Sequence, residues 1–187
     1  MRLTWQNQLA ESAYDVFLAL VRRRHADPAL LDLSAGYDLV TKISAKGFSV
    51  RTLDTRNEIL EPSKSNRPLA IDQPTGAFDG ILCLGTFGFI PRPAAPPLAS
   101  EIRRMLAPSG LVFVSFAPVW VHDPDDTRSV RSFFDRDGNL HRRDHGEFTT
   151  SVVYQNREIE ALFKEFKIVA LVTQTNGARR LTAMREA

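Results

Sequence analysis

The chain has a single cysteine, Cys83, in 187 residues. One thiol cannot close an intramolecular disulfide, and its place inside an apolar run fits a reducing compartment. No uninterrupted apolar stretch approaches the roughly 20 residues that a membrane-spanning helix needs, and the first residues lack the apolar core of a signal peptide. A soluble, cytoplasmic protein is expected. An excess of either charge is also missing, since 24 Lys+Arg stand against 22 Asp+Glu. That balance gives no electrostatic reason to expect nucleic acid or an anionic membrane as a partner. The run Arg22 to Arg24 and the pairs beginning at Arg103, Arg142 and Arg179 read as solvated faces. There is no cysteine cluster, and no metal is expected. No G-x-S-x-G segment occurs, so a hydrolase triad lacks its usual anchor. Repeats and low-complexity segments are absent, and the length suits one domain.

The most informative stretch present is Ala29 to Asp54, ALLDLSAGYDLVTKISAKGFSVRTLD. Ala29, Leu30, Leu31 and Leu33 form an apolar run, broken by a small-residue turn at Ser34, Ala35 and Gly36. Leu39, Val40 and Ile43 then recur at helical spacing, and a second β-rich run closes on Asp54. A strand, tight turn, helix and strand in this order put backbone N–H groups at a helix N-terminus beside the crevice of an open parallel sheet. An acid about twenty residues beyond the turn can accept both hydroxyls of a ribose, so the stretch implies a nucleoside site. The plainer reading of Asp54 is a solvated acid at the end of a strand; its position relative to the turn favours the ribose role.

Upstream, Leu9, Ala13, Phe17, Leu20 and Val21 define an amphipathic helix from about Gln6 to Arg24, ended by Asp27-Pro28. Tyr14 on this helix could cover a ligand, although an aromatic at such a position is more often core. After Asp54, Asn57 to Leu60 could form a turn or two of helix before Pro62. Leu69 to Ile71 is a weak third strand ending at Asp72, and Gly80 to Leu84 a stronger fourth, without alternation and so covered on both faces. A Pro-rich stretch from Pro91 to Pro97 is expected to be irregular. Leu98, Ile102, Met105 and Leu106 mark a helix, and Pro108-Ser109-Gly110 leads to a fifth strand over Leu111 to Phe116. Between Arg131 and Val153, turns at Asp137-Gly138 and His145-Gly146 separate short alternating stretches, a small antiparallel insertion. Asn156 is expected to cap a helix carrying Ile159, Leu162, Phe163 and Phe166. Ile168 to Val172 and Arg179 to Met184 form a closing hairpin across Asn176-Gly177. Strands alternating with helices call for an α/β architecture with a doubly wound, mostly parallel sheet.

With these motifs in this order the chain resembles the class I S-adenosylmethionine-dependent methyltransferases that act on small molecules. LLDLSAGYD stands where that family has its glycine-rich first motif, FSVRTLD resembles its second strand and acid, and AFDGILCLGTFGFI its fourth strand. LASEIRRMLAPSGLVFVSF is similar to the helix, Pro-Gly-Gly-like turn and fifth strand, and the tail resembles the final helix and hairpin. The resemblance implies a seven-stranded sheet in the order 3-2-1-4-5-7-6, with residues 1–28 as a helical lid and 122–155 as the insertion. It implies S-adenosylmethionine as cofactor, Asp32 as the acid that orients the turn and the cofactor's amino group, and Ser34, Ala35 and Gly36 as the turn itself. Asp54, with Thr55 beside it, would hold the ribose, and Leu84 with Gly85 would pass the methionine portion. Asp72 falls in the order of the adenine-side acid, at a shorter distance from Phe78-Asp79 than the family has; both Asp72 and Asp79 also read as loop-end acids. The first motif departs from the family, with Ser34 and Asp38 where glycines are usual.

Acceptor-side candidates are Tyr14, Trp120 and His122, with His141 and His145 in the insertion; His122 is the candidate general base. The leading expectation is methyl transfer to a small-molecule acceptor, with no nucleic acid or membrane partner and room for a protein partner or a homodimer. A methyltransferase-like protein that serves as a binding or partner subunit, or uses the pocket for other chemistry, is the alternative. A nicotinamide-dependent reductase shares the strand-turn-helix signature and fits the short chain less well.

Overall fold

A computed structural model describes residues 14–34, 39–53, 69–116, 132–134, 136, 139–144, 147–175 and 177–186. In chain order the strands are β1 (Ala29–Asp32), β2 (Ser49–Thr52), β3 (Phe78–Leu84), β4 (Leu106–Phe116), β5 (Ser132–Phe134), β6 (Asn139–Asp144), β7 (Glu147–Val152), β8 (Lys167–Thr173) and β9 (Arg179–Met184). Helices are α1 over residues 14–22, α2 (Val40–Ser44), α3 (Ala95–Met105) and α4 (Asn156–Leu162). Among the described residues, six strands form the main sheet in the order β2-β1-β3-β4-β9-β8. β2, β1, β3 and β4 pair in parallel, and β9 pairs antiparallel with both β4 and β8. The expected insertion is a separate antiparallel sheet, β5-β6-β7. Among the described residues no helix is long and apolar enough to cross a membrane.

The six-strand order reproduces the expected seven without its third member. Leu69 to Ile71 is not a strand. Its backbone groups find partners on α3 instead: the Ile71 N–H donates to Glu101 Oε2 at 2.9 Å, and Arg104 donates to the Ile71 carbonyl at 2.9 Å and to the Gln73 carbonyl at 2.7 Å. Glu101 and Arg104, three residues apart and hence on one side of the helix, also bond each other at 2.8 Å. Buried backbone polar groups must be paired, and here two side chains do what a neighbouring strand would have done. Arg104 is therefore a clamp rather than part of a solvated face.

Alternate residues of β1, β3 and β4 feed two cores, which explains their continuous apolar runs. Leu31, Ile81, Val112 and Val114 pack with α3 and α4, whereas Leu30, Leu82, Leu84, Leu111 and Phe113 pack with α1 and α2. Each fully buried side chain of this kind contributes roughly 1.5–3 kcal/mol relative to exposure. α1 lies close on β3 because Gly80 has no side chain; a Cβ there would stand 2.6 Å from Leu30 Cδ2 and 3.1 Å from Phe17 Cζ. Asp79 accepts the Ala29 N–H at 2.9 Å and pairs with His25 Nδ1 at 2.8 Å, fixing the α1–β1 connection as a loop-end acid should.

Three boundaries differ from expectation. β4 begins at Leu106 and takes in Pro108-Ser109-Gly110, expected as a turn. The Pro91 to Pro97 stretch is ordered, with a 3-10 turn at Arg92–Ala94 followed by the start of α3. Pro96 and Pro97 occupy its first turn, where an N–H would have no intrahelical partner in any case. α4 is capped by Gln155 rather than Asn156: the Gln155 N–H donates to Glu158 Oε2 at 2.6 Å in a reciprocal capping box. The Asn156 side chain instead accepts from Arg179 Nε at 2.8 Å. The Asn57 to Leu60 helical turn and the Asn176-Gly177 turn's first residue fall outside the described residues.

Candidate active site

Strand order reverses direction between β1 and β3, so their carboxyl ends flank the crevice where open α/β sheets bind ligands. Four expected site residues meet there. Asp32, with no exposed surface, ends β1 and accepts the Ser34 N–H on Oδ1 at 2.9 Å. Ser34 is buried as well, and its Oγ accepts the Leu84 N–H at 3.0 Å, joining the end of β1 to the end of β3. This accounts for serine in a place where the resembling family has glycine: the hydroxyl satisfies an amide that strand pairing leaves over. Gly85 follows with φ 72°, a left-handed conformation that favours a residue without a Cβ. Its N–H donates to Ser115 Oγ at 3.0 Å and to the Ser115 carbonyl at 3.2 Å. The N–H groups of Leu84 and Gly85 are thus engaged within the protein, and what these residues offer a ligand is shape.

Two further residues complete this knot, and sequence reasoning passed over both. Thr86 is buried and donates its hydroxyl to the Leu33 carbonyl at 2.5 Å. Ser115 is the one polar residue in the run LVFVSF, and a hydroxyl interrupting an apolar strand is the signal that could have marked it. Cys83, next to this network and fully buried, has its thiol pushed well above the ordinary range by burial and then by the negative charge of Asp32. It is an inert core residue.

Other expected positions do not join the group. Tyr14 is 3 % exposed and belongs to the α1–α2 core, with the Lys46 ammonium 5.7 Å from its ring centroid, so it packs rather than covering a ligand. Asp72 is exposed beside the clamped Ile71 segment. Ala35, Gly36, Asp54, Thr55, Trp120 and His122 lie outside the described residues, as does His145; His141 is in β6, paired with Phe133 and Thr150.

A hollow of about 460 Å³ opens elsewhere, between α3 and α4, and is lined by Arg92, Ala95, Ala99, Tyr154, Leu162 and Phe166 among others. Among the described residues, none of the expected site residues borders it. Arg92 holds its rim, bonded to Glu158 at 2.7 Å and to the Val153 carbonyl at 2.6 Å, with its guanidinium 5.0 Å from the Tyr154 ring centroid. Burial, offset by the Arg92 charge and reinforced by that of Glu158, pushes the Tyr154 phenol up to about 12.

No family model matches the chain, and no curated protein matches it in sequence. Solved structures do resemble it. The PH0226 protein of Pyrococcus horikoshii superposes with a TM-score of 0.69 at 16% identity, covering 95% of this chain and 91% of that one. An S-adenosylmethionine-dependent methyltransferase from Methanosarcina mazei gives 0.63 at 16% identity over 87% and 94% of the two chains. The Burkholderia thailandensis 1,6-didemethyltoxoflavin N1-methyltransferase, solved with bound 1,6-didemethyltoxoflavin and S-adenosylhomocysteine, gives 0.58 at 16% identity over 95% and 84%. The protein therefore has the α/β fold found in S-adenosylmethionine-dependent methyltransferases.

Proposed function

We propose that this chain is an S-adenosylmethionine-dependent methyltransferase acting on a small-molecule acceptor. The observation that carries the reading is the closure of the first strand's end. A wholly buried Asp32 fixes the backbone of Ser34, and Ser34 ties the turn to the end of β3, at the reversal point of the sheet. The residues present suit an adenosyl ligand, since the left-handed Gly85 keeps the end of β3 free of a side chain on the crevice. When bound, the cofactor supplies a methyl group made electrophilic by its sulfonium.

The chain's own share is positioning, which could supply several kcal/mol of barrier lowering when the reacting atoms are held in line. In this proposal Asp32 orients the turn formed by Ser34, Ala35 and Gly36; Asp54, with Thr55, receives the ribose hydroxyls, and Asp72 lies on the adenine side. Leu84 and Gly85 shape the wall along the methionine portion. Trp120 contacts the acceptor, and His122 removes its proton where one must leave. Incubation with methyl-labelled S-adenosylmethionine and a small-molecule extract tests this. Label is expected in the small-molecule fraction, at least about tenfold less for Asp54→Ala, and no transfer under any condition would refute it. The second reading, a methyltransferase-like binding or partner subunit, is favoured by one observation, the serine that replaces glycine at position 34. Cofactor binding without transfer to any acceptor is its expected outcome.

A further inference from the structure

Arg180 stands in a row that crosses the sheet at its crevice end. Leu84 of β3 pairs with Ser115 of β4, Ser115 with Arg180 of β9, and Arg180 with Val172 of β8. Directly paired residues project from the same face. Leu84, with Leu111 and Phe113 of β4, belongs to the α1–α2 core, so Ser115 and Arg180 project from that face also. Arg180 lies two strand spacings from Leu84, roughly 10 Å, on the side of Ser115 away from the Asp32–Ser34 knot. Ser115 is the residue that holds the Gly85 N–H. Arg180 is thus carried next to the end of β4, one strand beyond the Ser115 that holds the Gly85 N–H.

Its surroundings differ from those of the other partly buried arginines among the described residues. Arg92 and Arg104 have carboxylate partners, and Arg179 donates to Asn156. Arg180 is partly buried, yet among the described residues it makes no hydrogen bond or ion pair, and burial alone lowers its pKa with no facing acid to offset it. A partly desolvated cation without a counter-charge is less favourable than a paired one, and arginine does not escape by losing its proton. Val172 beside it is 53% exposed, an apolar shelf next to the charge.

We propose that Arg180 binds an anionic oxygen group, a carboxylate or a phosphate, on the acceptor. This rests on the methyltransferase reading for the identity of the ligand as acceptor; the anion site itself does not. The planar fork of the guanidinium matches such groups with two parallel hydrogen bonds. An acceptor of this class would carry its negative group on the β9 side and its methylated atom toward β3.

Arginine side-chain Nε–Hε resonances of the full chain, followed during separate titrations with benzoate, inorganic phosphate and neutral benzamide, test the site. The Arg180 resonance, assigned by its loss in Arg180→Gln, is expected to shift with benzoate or phosphate and not with benzamide. Affinity for the anion is expected to fall at least about fivefold in Arg180→Gln. A thermal melt checks the variant's folding, and Arg180→Lys, which keeps the charge without the fork, serves if the glutamine variant does not fold. No shift with either anion, a shift with benzamide equal to that with benzoate, or undiminished affinity in the variant would overturn the proposal. Titration of the unaltered protein with S-adenosylhomocysteine separates the two readings. Anion binding without nucleoside binding removes the methyltransferase and keeps the anion site, and the converse removes the anion site alone.

Discussion

Replacing Ser34 by alanine removes the hydroxyl that accepts the Leu84 N–H at 3.0 Å. Ser34 is 8 % exposed and Leu84 2 %, so bulk water has little access to the amide left behind. An unsatisfied buried donor costs about 1–3 kcal/mol, which exceeds the net gain of an ordinary hydrogen bond because the desolvation of the amide is no longer offset. In a chain of this length each kcal/mol lowers Tm by about 2–4 °C, giving an expected drop of roughly 2–12 °C. Glycine at the same position loses the same bond and adds about 0.5–1 kcal/mol of backbone entropy. Ser34→Gly is therefore expected to be no more stable than Ser34→Ala, although it restores the residue usual in the family the chain resembles. Urea unfolding followed by far-ultraviolet circular dichroism reads these differences as shifts in midpoint at constant slope. A Ser34→Ala variant within about 0.5 kcal/mol of the parent, or a glycine variant more stable than the parent, would show that the hydroxyl does not serve Leu84.

Glu101 would be raised by burial, but the hydrogen bonds from Arg104 and the Ile71 N–H, with the Arg104 charge, outweigh that and hold its carboxyl below the usual value. Its contribution is present above the unfolded value of about 4.3 and is lost as pH falls through the lower folded value, so the stability gap between parent and Glu101→Gln should close in acid; a gap that widens there contradicts the clamp. Ser109 has φ 63°, a left-handed conformation that costs a non-glycine residue about 1–2 kcal/mol. Ser109→Gly is expected to raise the urea midpoint, and a lowered midpoint would mean that the serine side chain has an unrecognised role. Among the described residues the buried Tyr154 hydroxyl has no hydrogen-bond partner, so Tyr154→Phe should be neutral or stabilising by up to about 1 kcal/mol. A loss larger than that would reveal a partner for the phenol.

Most of the fold was legible because its signals are local. The apolar run, small turn and helical spacing of Ala29 to Ile43 fix β1 and α2 within a few residues. The hairpin of β8 and β9 is written in a turn dipeptide and two β-rich runs. The third strand misled because Leu69 to Ile71 is apolar enough for a strand, while the partners of its backbone, Glu101 and Arg104, lie some thirty residues away. Pro91 to Pro97 read as irregular because proline breaks helix interiors, and only register decides whether it falls in a first turn. At the candidate site Ser34 follows from position in the strand-turn-helix unit, while Asp32, Leu84 and Gly85 follow from the resemblance of the ends of β1 and β3 to the family's motifs. Ser115 and Arg180 do not, since their proximity to Leu84 depends on pairing across β3, β4 and β9, which no local pattern encodes.

The central claim is that the small-residue turn after β1 receives an adenosyl ligand although serine replaces a glycine there. Calorimetric titration of the full chain with S-adenosylhomocysteine tests it directly, with a nicotinamide dinucleotide as the control. The expected result is one site with Kd on the order of micromolar and no binding of the dinucleotide. An absence of heat with S-adenosylhomocysteine at millimolar concentration, or preferential binding of the dinucleotide, would contradict it.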